Sequence, residues 1–351
     1  MFHVSACGDR RACHGDPACG GADEPRENMN KFIRPPVSYP TTVVFVDDND
    51  NYLDALRRFF PDVSTNLFFS RPQTALAFIR QHARENSLEF APASACLSET
   101  GFERFVETSP QRDVLARDSR FSEVAAVVVD YDMPGISGVE FLSSISNLHC
   151  AKILLTGVAD ETVAVKAFNA GIVDLYLRKT DADSANRLVH FLKDAKSRHC
   201  SEAGWLALGE NGITYCDART RSVIDQVVKD KGIVEYYWRP EQNAILMFDR
   251  EGRASVFVAW AEHDWIAQGE IVADERGPAE LLRQMAVREV MPLFWPHLAF
   301  RSNVEFRMLK PQPIPGWGDA FYCWSQVESP EVAQAGVRPL TFAQWRSDRA
   351  R

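Results

Sequence analysis

No run of apolar residues in this chain approaches the roughly 20 needed to cross a membrane as a helix. The N-terminal stretch MFHVSACGDRRACHGDPACGG also lacks the apolar centre of a secretory signal. Both absences lead us to expect a cytoplasmic protein. Nor is there a cationic excess. With 39 Lys and Arg against 48 Asp and Glu, the formal net charge is −9, a balance ill suited to broad contact with a phosphate backbone, which disfavours nucleic acid as a partner. Tryptophan is absent from the first 204 residues, whereas eight follow, at 205, 238, 260, 265, 295, 317, 324 and 345. That shift is the clearest sign of two domains, and 351 residues are enough for both.

The eight cysteines show no recognised metal-binding spacing. Cys7, Cys13 and Cys19 flank His14 as C-x5-C-H-x4-C, which matches no standard zinc pattern. Residues 1–40 are expected to form a disordered leader, and Met29 precedes a plausible beginning of the folded part. Cys96, Cys150, Cys200, Cys216 and Cys323 are isolated and read as reduced thiols.

What is present is strand–helix alternation from Thr41 to Lys179, which implies βαβ units around a parallel sheet. Val43–Val46 predicts a strand ending in Asp47 and Asp48. A helix with Leu53, Leu56 and Phe60 follows, then a strand at 66–69 and a helix from about Pro72 to Arg84. Val124 to Val129 are all Val or Ala, as in a strand buried on both faces. That strand stops on Asp130, and Met133-Pro134-Gly135 breaks the backbone beyond it. Further strands end at Thr156 and at Lys179. The fold expected for residues 41–180 is α/β, a flavodoxin-like (βα)5 doubly wound sheet with a long insertion, about 85–121, before the third strand. Within the insertion, Leu97–Glu107 could make a short helix.

In such sheets, chemistry sits outside the carboxyl ends of the strands. Asp47, Asp48 and Asp130 meeting there would repel one another, and a hard cation such as Mg²⁺ relieves the repulsion with oxygen ligands. Lys179 adds a point charge for an anion and Thr156 a hydroxyl donor. Acid pair, third acid, hydroxyl and lysine describe a site that receives a phosphoryl group on Asp130.

On these motifs (Phe45-Val46-Asp47-Asp48, Val129 to Gly138, Leu155-Thr156-Gly157 and Tyr176-Leu177-Arg178-Lys179) residues 41–180 resemble the CheY-like receiver domain of two-component response regulators. The resemblance implies that Asp130 is the phosphoacceptor for a cognate histidine kinase or phosphotransfer protein, and that the receiver catalyses its own phosphotransfer from phosphohistidine. It implies Mg²⁺ held by Asp47, Asp48, Asp130 and the Asp132 backbone carbonyl. Thr156 and Lys179 would contact the phosphoryl oxygens, and Tyr176 would sit at the aromatic switch position. Two departures stand out. Thr180 follows the lysine where receivers usually carry proline, and 83 residues separate Asp47 from Asp130, about double the usual spacing, with the excess confined to the insertion.

A helical linker is expected at 181–204 and an α+β output domain at 205–351. Residues 245–258 predict a hairpin, 261–272 and 277–290 helices, and 303–327 further strands. The output holds 17 Lys or Arg against 20 Asp or Glu and no basic recognition helix, so DNA binding is not expected. Signatures of cyclic-dinucleotide enzymes (GGDEF, EAL, HD-GYP) are missing, and His263-Asp264 reads as a chance dipeptide. Arg219, Arg221 and Arg239 read as surface residues, and the tryptophans mostly as core, with a ligand pocket as the alternative. The layout is similar to that of quorum-sensing response regulators. The expected function is a phosphorylation-controlled response regulator acting through an output partner. The alternatives are a phospho-regulated enzyme or an output that binds a nucleotide or other small ligand, and a receiver serving as a dimerisation module in a homodimer.

Overall fold

A computed structural model of the chain describes residues 33–62, 65–85, 113–157, 166–204, 212–337 and 339–349. The expected leader cysteines, His14, Cys96, the helix at 97–107 and Trp205 lie outside them. Among the described residues, no helix is long and apolar enough to cross a membrane.

Five strands form the first sheet: β2 (Thr42–Val46), β3 (Asn66–Phe69), β4 (Val124–Asp130), β5 (Ala151–Thr156) and β6 (Leu175–Arg178). They lie in the order β6-β5-β4-β2-β3, and every pairing is parallel. This is the doubly wound, flavodoxin-like order. The pleat sends alternate side chains to opposite faces. Val44, Val46, Val127 and Val129 pack with Ile79 of α2 (Pro72–His82) and Phe141 of α3 (Gly138–Ser143). Val43, Phe45 and Val128 face α1 (Asp50–Phe59) through Leu53 and meet Leu188 and Leu192 of α4 (Ser184–Ala203). Burial on both faces is why these strands read as unbroken apolar runs.

The second sheet has six antiparallel strands in the order β1-β7-β8-β9-β13-β12. They are β1 (Val37–Ser38), β7 (Ile233–Arg239), β8 (Ala244–Asp249), β9 (Ala254–Trp260), β12 (Gln312–Pro313) and β13 (Phe321–Gln326). The expected hairpin is β8–β9, turning through Gly252 at φ +78°. Helix α5 (Ala218–Lys231) precedes β7, and α6 (Glu262–Asp274) and α7 (Ala279–Ala286) follow the hairpin, then β10 (Met291–Leu293) paired with β11 (Arg307–Leu309). β1 corrects the boundary expected for the leader: Val37 and Ser38 pair with Tyr237 and Tyr236 on β7, although they precede the first sheet in sequence. The linker is likewise shared. The first half of α4 packs on the first sheet through Leu188 and Leu192, while Cys200 and Ala203 near its end enter the core of the second domain.

The end of the insertion also crosses over. Val114, Leu115 and Phe121 lie in the core of the second domain, with the Phe121 ring tilted against Phe342 and Trp345. Between them Arg120 is 0% exposed, as is its partner Glu235 on β7. Arg120 donates from Nε to the Tyr237 hydroxyl at 2.7 Å, to the Glu235 carboxylate at 3.2 Å, and to the carbonyls of Arg117 at 3.0 Å and Leu340 at 2.5 Å. Tyr237 donates in turn to Glu235 at 2.6 Å. Every polar atom of the guanidinium is used, which is the condition for burying a cation. Arg239, expected at the surface, is buried and pairs with Asp113 at 2.7 Å.

Glu123, one residue before β4, gathers a second buried group. It accepts from Tyr39 at 3.1 Å and pairs with Arg117 at 2.7 Å and Arg84 at 3.5 Å, with His199 Nε2 of α4 at 3.3 Å. Burial pushes His199 down to about 4, helped by Arg84 and His149 and opposed by the bond to Glu123. His199 is therefore neutral at pH 7, with Nε2–H donating. The unfolded chain, whose histidine titrates near 6.5, binds a proton that the folded chain refuses, so stability falls as pH drops from about 6.5 toward 4. His199 should contribute a loss of about 2 kcal/mol in unfolding free energy between pH 7 and pH 5. Urea unfolding at both pH values checks this, because His199→Gln should remove that part of the drop. An equal drop in the variant would reject the assignment.

Candidate functional site

The carboxyl ends of four parallel strands converge on one crevice. β2 delivers Asp47 and Asp48, β4 ends on Asp130, β5 ends on Thr156, and Lys179 follows β6. β2 is the first strand of the parallel sheet in sequence, and its neighbours lie on opposite sides, with β3 on one side and β4 on the other. The connections leaving β2 and β4 therefore diverge and leave a gap at this switch point.

Asp47 and Asp130 are buried, at 2% and 7% exposure, while Asp48 is exposed. Their carboxylates and that of Asp48 can each place an oxygen within 4.8 Å of the others. The Lys179 ammonium lies 2.5 Å from Asp47 Oδ2 and 2.8 Å from Asp130 Oδ1. The other oxygen of Asp47 accepts the Asn49 N–H at 2.9 Å, which fixes the carboxylate relative to the start of α1. Burial raises the Asp130 carboxyl, its hydrogen bond to Lys179 opposes this, and the Asp47 charge adds to the rise. Burial alone would lower Lys179, but its bonds to Asp130 and Asp47 outweigh that and hold the ammonium above its ordinary value. Three hard-oxygen donors of like charge, balanced on one side by an ammonium, suit a hard divalent cation.

The backbone beyond Asp130 is tightly set. Tyr131 donates its N–H to the Leu155 carbonyl at 2.7 Å, and Gly138 donates to the Tyr131 carbonyl at 2.8 Å. Gly135 takes φ +85°, and Asp132–Met133 pairs back with Ile136–Ser137. Ser137 and Glu140 form a capping box that starts α3. Asp132 is exposed beside this turn, one peptide beyond Tyr131. Thr156 is buried, and its carbonyl accepts the Lys179 N–H at 2.8 Å, so β5 positions the lysine directly. Tyr176 is half-buried on β6 and packs against the core under α3. Among the described residues the only cis peptide is Trp295–Pro296, so Thr180 follows Lys179 through a trans bond.

Thus all seven residues expected at the site lie on the sheet edge or on β6 beside it. Tyr52 was not foreseen. Its ring centroid lies 4.3 Å from Lys179 Nζ. The one sequence signal for it was an aromatic in the first turn of the helix that follows the acid pair.

Other sequence features lie elsewhere. Asp264 caps α6, accepting from the Ala261 N–H and the Thr214 hydroxyl, both at 2.8 Å. Arg219 pairs with Asp217 at 2.9 Å, and Arg221 donates to the Arg34 carbonyl at 3.0 Å. Trp238, Trp260, Trp265, Trp295 and Trp345 are buried core residues. Trp260 ends β9 and meets Trp265 edge-on at 4.8 Å.

The model of the response regulator receiver domain family matches residues 91–190. That span holds Asp130, Thr156 and Lys179 but not the acid pair, which the insertion separates from them. Over nearly its whole length the chain is similar to the response regulator LqsR of Legionella pneumophila. The two are 26% identical with a TM-score of 0.63, over 90% of this chain and 95% of that one. A receiver domain protein from Clostridium thermocellum also matches, at 20% identity and a TM-score of 0.30, over 45% of this chain and 96% of that one. So does a CheY-like receiver domain protein from Methanospirillum hungatei JF-1, at 19% and 0.30, over 45% and 98%. No curated protein matches the chain. The parallel sheet with its strand-end site thus has the fold of a response regulator receiver domain, whose family model matches residues 91–190, and a domain of antiparallel strands and helices follows it.

Proposed function

We propose that this protein is a cytoplasmic two-component response regulator that accepts a phosphoryl group on Asp130 from a histidine kinase or phosphotransfer protein. The single observation that carries the reading is Lys179, whose ammonium sits between Asp47 and Asp130 at 2.5 and 2.8 Å in a pocket of three carboxylates. An Asp130 oxygen attacks the phosphorus of a phosphoimidazole. The P–O bond forms as the P–N bond breaks, and the imidazole leaves with the bonding pair and takes up a proton. Asp47, Asp48, Asp130 and the Asp132 carbonyl would hold Mg²⁺, which when bound neutralises charge on the transferring group. Lys179 turns from Asp47 toward a phosphoryl oxygen, and the Thr156 hydroxyl donates to another. Tyr176, half-buried on β6 opposite Leu154, two residues before Thr156 on the neighbouring strand, can follow that movement.

The output is read as acting through protein–protein contact. Its excess of 20 Asp and Glu over 17 Lys and Arg argues against DNA. A radiolabelled small-molecule phosphodonor, such as acetyl phosphate, should label the chain only with Mg²⁺ present, and Asp130→Asn should remove at least about 95% of the label. Undiminished labelling of that variant would end the proposal.

A further inference from the structure

Lys179 has a third neighbour that the carboxylates do not account for. Its Nζ lies 4.3 Å from the centroid of the Tyr52 ring, inside the range of about 6 Å where a ring face attracts a cation. The ring is not there by chance packing alone. Tyr52 lies in the first turn of α1, and its N–H is held by the N-cap Asn49 through both carbonyl and side chain. The Asn49 N–H is in turn held by Asp47 Oδ1. One short loop therefore fixes the acid pair and the ring in the same frame. Two carboxylates take two directions around the ammonium, and the aromatic face covers another that water would otherwise occupy. The Tyr52 side chain is half-buried, and burial raises its phenol; the Lys179 ammonium opposes the rise and the Asp47 and Asp130 charges add to it, so it faces the cation as a neutral ring.

In the reaction proposed above, on which this step rests, Lys179 must give up its bond to Asp47 and reach a phosphoryl oxygen while staying beside Asp130. A carboxylate partner opposes that exchange, because it competes with the phosphoryl group for the same N–H donors. An aromatic face does not compete: it attracts the charge without taking a directed hydrogen bond. We infer that Tyr52 is a positioning residue for phosphoryl transfer, whose ring keeps the Lys179 ammonium at the phosphoryl site as it leaves Asp47. The ring, not the hydroxyl, performs this role.

The test is the Mg²⁺-dependent labelling of the full chain by acetyl phosphate at several donor concentrations, with Mg²⁺ affinity measured by calorimetry in parallel. Tyr52→Leu should lower the saturating labelling rate about tenfold with little change in the donor concentration giving half the rate. Tyr52→Phe, which keeps the ring, should stay within about threefold of the unaltered chain. Mg²⁺ affinity should be about the same in all three, because the ring's contact is with the Lys179 ammonium and it offers no ligand oxygen that the leucine or phenylalanine variant would remove from the three carboxylates. If the unaltered chain takes no label, the phosphoacceptor reading fails. If it labels and Tyr52→Leu labels as fast, the role of Tyr52 alone is overturned. A phenylalanine variant as slow as the leucine one, or a rate loss matched by weakened Mg²⁺ binding, overturns it too.

Discussion

Arg120→Met should lower the unfolding free energy by about 3–5 kcal/mol, the cost of leaving a buried partner charge uncompensated. Glu235 would keep the Tyr237 hydroxyl and the Phe342 N–H but lose its only ion-pair partner among the described residues. Burial already raises the Glu235 carboxyl despite Arg120 beside it, so without the cation the carboxylate is held in place at far higher cost. The Leu340 and Arg117 carbonyls would lose their donor as well. Methionine fills much of the space, which confines the effect to charge and hydrogen bonding. The double variant Arg120→Met/Glu235→Leu should recover most of the loss, since an apolar pair removes both desolvation costs together. Chemical denaturation of the three variants measures this. A single-variant loss under about 1 kcal/mol would mean that the pair is solvated and does not clamp the insertion to the second domain.

Gly138→Ala should abolish labelling of Asp130 and cost about 2–4 kcal/mol of stability. A Cβ at this position would stand 2.3 Å from the Asp130 carbonyl oxygen and 2.7 Å from Leu154 Cδ1. The first of these atoms is backbone and cannot rotate away. The displaced carbonyl belongs to Asp130, the proposed phosphoacceptor, so a shift large enough to admit the methyl moves its carboxylate relative to Lys179. Positioning errors of that size are costly in transfer reactions. Gly157→Ala is the contrast for stability, because a Cβ there meets nothing within 4 Å and should change unfolding little. Gly138→Ala protein that unfolds and labels like its parent would contradict the close approach.

The two variants mark how differently the parts of this chain could be read. Gly138 and Asp130 belong to a motif eight residues apart, with an apolar run before it and a turn within it. The insertion is rich in Ser, Glu and Arg and carries no motif that assigns it a role. Nothing in its composition distinguishes Arg120 from a surface arginine, because the groups that bury it stand at 235, 237 and 340. Arg239 was misread for the same reason, its partner being Asp113. β1 was missed because a two-residue edge strand carries no periodicity, and its pairing with β7 spans about 200 positions.

By itself the sequence determined the parallel sheet, the places where its strands stop, and the acids, threonine and lysine at those stops. Those features are local: apolar runs fit strands covered on both faces, and a breaker after each run leaves the last side chain at the sheet edge. The tertiary structure alone decided that Tyr52 covers Lys179, that Arg120 and Glu235 bury each other, and that Val37–Ser38 and residues 114–121 join the second domain. Such contacts depend on which surfaces packing brings together, and residues far apart in sequence leave no spacing from which to read them.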